Sequence, residues 1–92
     1  MIVHESSYKR WLQKQGVGSK DRVADSAASY ISYLRSVSSL LGEAISPEIL
    51  SDEGDVERIL RRIRGMRADN TVRNYGSAMR QYVAMVEAGA HP

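Results

Sequence analysis

Six polar residues recur at helical spacing in the C-terminal third of the chain: Asn70, Arg73, Asn74, Ser77, Arg80 and Gln81. These side-chain types suit nucleic acid. Arginine forks guanine edges and phosphates, asparagine and glutamine pair with adenine, and serine meets phosphate oxygens. Along the sequence no acid neutralises this face: Asp69 lies just outside it, and Glu87 stands seven residues beyond Arg80. Gly76 and Ser77 are small enough to let a helix backbone approach a groove wall, although glycine costs up to about 1 kcal/mol in helix propensity.

The charge around this face is segregated. Glu43 to Glu57 holds six acids and no bases, whereas Arg58 to Tyr82 holds seven arginines against Asp69 alone. Net charge is only +2, but ten of the thirteen bases are arginine, whose planar fork suits phosphates and base edges better than lysine does. Arg58, Arg61, Arg62 and Arg64 admit two readings. They are a solvated face that matches a helix dipole, with Glu57 placed to pair with Arg61 four residues on, or they are a phosphate-contacting patch.

Other chemistries find little support. With no cysteine there is no disulfide scaffold, thiol nucleophile or cysteine-ligated zinc. His4 and His91 sit at opposite ends, which argues against a histidine metal site or a Ser–His–acid arrangement. Gly16-Val17-Gly18-Ser19-Lys20 lacks the preceding strand and the spacing of a phosphate loop. The acids from Asp52 to Glu57 fit the first turns of a helix better than they fit an acid–base pair or a magnesium site. No cofactor and no metal are expected, and the domain alone is not expected to be an enzyme. The longest apolar run, Tyr82 to Val86, is far short of the roughly 20 residues that span a bilayer, so a cytoplasmic protein with no membrane partner is expected.

Helices must position these residues, since no alternating strand pattern occurs. A first helix over about Ser6 to Gln15 presents Tyr8, Trp11 and Leu12, with Trp11 expected to anchor the core. Gly16-Val17-Gly18 ends it, and Ser19 is the expected cap of the next. Val23, Ala27, Tyr30, Leu34, Val37 and Leu41 form one stripe of a long second helix, stopped by Gly42. Ser46-Pro47 starts a short turn. A third helix, about Asp52 to Arg64, buries Val56, Ile59, Leu60 and Ile63, and Gly65 closes it. Asp69 or Asn70 caps a fourth, where Val72, Tyr75, Met79, Tyr82 and Val86 repeat at three, four, three, four until Gly89. Four of the five tyrosines lie on these stripes, each hydroxyl expected to reach the rim. The expected fold is an all-α, compact four-helix orthogonal bundle, one domain over residues 1–92.

The order of these pieces resembles the N-terminal core-binding domain, also called SAM-like, of tyrosine recombinases of the phage-integrase and Xer type. Trp11-Leu12, the linker Gly16 to Ser19, Tyr30-Ile31-Ser32-Tyr33-Leu34, the acidic mid-section and Asn70 to Tyr82 carry the likeness, which runs from about Tyr8 to Glu87. Within the last helix Thr71, Ser77, Met79-Arg80 and Tyr82 occupy the places where the family has a threonine, a serine, an apolar–arginine pair and an aromatic. The resemblance implies half of a clamp on double-stranded DNA for integration and recombination. It places Lys20, Arg22, Ser26 and Ser29 of helix two, and Asn70, Arg73, Asn74, Ser77 and Arg80 of helix four, at the DNA. It also implies a catalytic domain C-terminal to residue 92 in a parent chain, together with self-association on DNA. Arg22 stands where the family often has threonine, three residues after the serine, and no tyrosine here is the expected nucleophile. Two alternatives are a DNA-binding domain fused to a nuclease and a helical protein–protein adaptor.

Overall fold

The structure, a computed structural model, describes residues 1–15 and 23–91, apart from the side chains of Gln15 and of residues 23–26. Four helices and no named strand occur among the described residues: α1 (Glu5–Gln15), α2 (Val23–Leu41), α3 (Glu53–Ile63) and α4 (Asp69–Glu87). The Cα radius of gyration is 12.1 Å, close to the ~12 Å of a globule of this length. α4 packs against each of the other three helices, while α1 meets α2 and α4.

The helix ends follow local chemistry. Gly42 (φ +70°) and Gly89 (φ +67°) adopt the left-handed conformation that an L side chain resists by roughly 1–2 kcal/mol. At the first stop both Gly42 N–H and Glu43 N–H donate to Ser38 O, at 2.9 and 3.2 Å. Asp52 caps α3, its carboxylate accepting the Asp55 N–H at 2.8 Å. α4 departs from the expected cap. Its N-cap is Ala68, with no side-chain bond, and Asp69 already stands in the first turn, where its charge suits the dipole. The expected cap at Ser19 lies outside the described residues.

Most stripe positions are buried, including Val56, Ile59, Leu60 and Ile63 of α3 and Val72, Tyr75, Met79 and Tyr82 of α4, whereas Tyr30 and Val86 are only partly buried and the side chain of Val23 lies outside the described residues. The aromatic anchor differs from expectation. Trp11 is only partly buried, its Nε1 donating to Gln81 Oε1 at 3.1 Å, whereas Tyr8 is 0% exposed. A stripe identifies a face but not its depth, and Tyr8 is the α1 aromatic that meets Ala78 and Tyr82 of α4 inside the core. The hydroxyl also does not reach the rim: it donates to Ala78 O within the core, at 2.8 Å. Tyr82 stacks obliquely on Tyr8 with ring centroids 5.6 Å apart and donates to Val3 O at 2.7 Å.

One element had no sequence signal. Ile2 pairs with Ile45 in an isolated bridge, closed by Val3 N–H to Ile45 O at 2.7 Å and Ile45 N–H to Met1 O at 2.9 Å. Both isoleucines are buried. His4, at φ +63°, then turns the chain into α1.

Burial raises the Tyr8 hydroxyl pKa well above its usual value, reinforced by Tyr30 and Tyr82, and burial also pushes Tyr82 up to about 12. Above pH ~10 unfolded tyrosines ionise while these two keep their protons, so stability falls as pH rises. Tyr8→Phe should lower stability by about 1 kcal/mol at neutral pH and flatten this alkaline decline. Urea denaturation at pH 7 and pH 11 measures both effects.

Candidate nucleic-acid interface

Eight residues of α4 are buried against its neighbours, and the opposite side of the helix forms an exposed face. On it stand Asn70, Arg73 and Asn74 in the first turns, then Arg80 one helical stretch further on. Ser77 is half-buried, its Oγ donating back to Arg73 O at 3.3 Å. Ser29 is exposed on α2, while the side chain of Ser26 and the whole of Lys20 and Arg22 lie outside the described residues.

Arg80 is not free of acids, contrary to the reading of its own helix. Its Nε donates to Glu53 Oε1 at 3.0 Å and its Nη2 to Glu57 Oε1 at 3.2 Å. Glu57 therefore turns to Arg80 across the helix–helix contact rather than to Arg61 along its own helix. Both acids lie more than twenty residues before Arg80, so only packing of α3 on α4 brings them together. Such exposed pairs contribute at most about 1 kcal/mol each. No carboxylate lies within 4.0 Å of Arg73 among the described residues.

Gly76 also has a different place from the one expected. It is buried, and a Cβ there would stand 3.2 Å from Arg80 Nη1 and 3.5 Å from Leu60 Cδ1. Its small size brings α3 close to α4 and leaves the Arg80 guanidinium lying across the contact. The result is a groove of about 470 Å³ with Leu60, Val72 and Gly76 at its base. Arg64, Arg73 and Arg80 line it, with Glu57 and Asp69 opposing them.

A second groove, about 410 Å³, runs along α2. Ser32, Ser36 and Ser39 line it beside Arg35 and Arg67. Ser29 continues the same helical stripe at three-residue spacing. Arg35 is held bidentate by Glu5, with Nη2 at 2.9 Å from Oε2. Arg64 and Arg67 were not separable from their arginine neighbours by sequence alone. The signal for them was the arginine density around Gly65.

Acids elsewhere in α3 are also engaged. Asp55 accepts from Ser51 N–H at 2.9 Å and pairs with Arg58 at 3.0 Å. The Ser51 backbone bond, aided by Arg58, holds its carboxyl below the usual range. Among the described residues no group of three or more histidine, cysteine or acidic side chains could hold a metal ion. No described helix is long and apolar enough to cross a membrane.

The depressed Asp55 pKa makes a contribution that is present above the unfolded value, about 3.9, and lost as pH falls through the folded one. Asp55→Asn should therefore reduce stability at pH 7 and flatten its decline between pH 5 and pH 2. Thermal melts across that range read the difference. Comparisons with protein-family models, with curated proteins and with solved structures find no match for this chain.

Proposed function

We propose that this chain is a DNA-binding module of a site-specific tyrosine recombinase, with a SAM-like orthogonal arrangement of its helices. It would clamp double-stranded DNA through α2 and α4, while a separate catalytic domain of the parent chain cuts and rejoins strands. One observation carries the reading: Asn70, Arg73 and Asn74 stand together, exposed, on the polar side of a helix whose apolar side is buried. That is the chemistry of groove recognition, presented on a rigid element. The serine face of α2 adds hydroxyls suited to phosphate. A nuclease fusion would use the same clamp and differ only in the reaction of its other domain.

The adaptor reading loses some of its motive. It rested on acidic and basic surfaces docking head to tail, yet Glu53, Glu57 and Asp55 already face Arg80 and Arg58 within the chain. These pairs stay open to solvent, so they reduce rather than remove the acidic surface that a second copy could meet.

Arg73 and Arg80 should then behave differently. Duplex binding is expected to be weak and salt-sensitive, with Kd of about 10⁻⁴ to 10⁻⁶ M when non-specific. Arg73→Ala should flatten the plot of log affinity against log salt by about 0.9, whereas Arg80→Ala should change it less, because two glutamates already hold that charge. Fluorescence anisotropy with a labelled duplex at several salt concentrations measures both slopes. A chain that shows no affinity for duplex at low salt would not be a DNA clamp.

A further inference from the structure

The turn between α3 and α4 belongs to neither helix face discussed above, yet it joins the two grooves. Arg64 lines the α3–α4 groove beside Arg73, and Arg67 lines the α2 groove beside Ser32, Ser36 and Ser39. Between them Met66 is 52% exposed, exceeded among the large apolar side chains described only by Met1. No carboxylate lies within 4.0 Å of Arg61, Arg62, Arg64 or Arg67 among the described residues.

This turn is built rather than frayed. Gly65 takes φ +93°, Arg64 N–H donates to Leu60 O at 2.9 Å, and Met66 N–H donates to Ile63 O at 3.0 Å. Arg67 Nη1 closes over the tip by donating to Met66 O at 2.8 Å. Ile63, immediately before the turn, is fully buried and fixes its root.

Size decides which groove of DNA such a turn can enter. A helix with its side chains is about 10–12 Å across and suits the major groove, which is about 12 Å wide. The minor groove is only about 6 Å wide, and proteins enter it with arginines and single apolar wedges. A tight turn with one methionine at its tip and arginines beside it has that shape and charge. It also directly precedes the α4 turns that carry Asn70 and Arg73.

We propose that the α3–α4 turn is a third DNA-contacting element: Met66 enters the minor groove next to the site of α4, and Arg64 and Arg67 contact the phosphates that wall it. This rests on the duplex-binding reading above. It adds a contact that is partly apolar and therefore partly insensitive to salt.

The test uses the 92-residue chain, an A·T-rich duplex carrying 2-aminopurine and anionic vesicles of phosphatidylserine. Arg64→Ala/Arg67→Ala should lower the salt slope by about 1.8. Met66→Ser should leave that slope unchanged, weaken binding, and abolish the rise in 2-aminopurine fluorescence that unstacking produces. Circular dichroism confirms that each variant keeps its helices. If Arg73→Ala weakens duplex binding while the turn variants match the parent in affinity, slope and fluorescence, the turn is not a contact and the duplex reading survives. If the parent chain binds no duplex, both fall. Vesicle binding that depends on Met66, with no effect of Met66→Ser on duplex, would make the turn a lipid contact and overturn the proposal.

Discussion

α4 must bury itself against three helices and still leave a polar strip open, and the rest of the structure depends on how it does so. Its inner surface alternates large and small residues: Val72, Tyr75, Met79 and Tyr82 fill space, while Gly76 and Ala78 let neighbouring backbones come close. The small positions have consequences on both sides. At Ala78 the backbone carbonyl is near enough to receive the Tyr8 hydroxyl, and at Gly76 the α3 side chain of Leu60 lies where an added Cβ would meet it at 3.5 Å. A buried hydroxyl without a partner would cost roughly 1–3 kcal/mol. The Tyr8 bond therefore selects one axial position of α1 on α4 where a phenylalanine would tolerate several.

The polar strip owes its character to the same packing. Where α3 comes close, over Gly76, its glutamates reach Arg80 and hold that charge. Nearer the start of α4, Arg73 has no such neighbour and Asp69 is the nearest acid in sequence. One helix face thus carries two arginines of the same chemical type in opposite electrostatic states. The contrast arises from the length of α3 and from the position of its acids in the first two turns.

Much of this was legible from residue order. The second helix runs over the span its apolar stripe and Gly42 require, and the four buried positions of α3 are those of its periodicity. Such features are local, being fixed by spacing, glycine conformation and caps. What the sequence did not reveal lay in distant pairings. Ile2 and Ile45 meet through backbone bonds that no side-chain pattern encodes, and Glu53 and Glu57 find Arg80 only after two helices dock. The exchange of roles between Trp11 and Tyr8 has the same origin, because both lie on the apolar side of α1 and only the approach of α4 decides which is enclosed. For the candidate interface, Asn70, Arg73 and Asn74 are as exposed as their spacing suggests. Gly76 is a packing residue, and the α3–α4 turn stood out only as part of a wider run of arginines.

Trp11 acquires a use from its shallow position. It is the single tryptophan of the chain, and its indole N–H is bound to Gln81 across the α1–α4 contact. Its near-ultraviolet emission therefore reports on one place in the molecule. While α1 stays docked the ring is shielded on one side and its nitrogen is engaged; when α1 lifts away both conditions end and the emission moves to longer wavelength. Separation of α1 from the bundle can thus be followed optically without a label, and distinguished from melting of α3, which α1 does not touch.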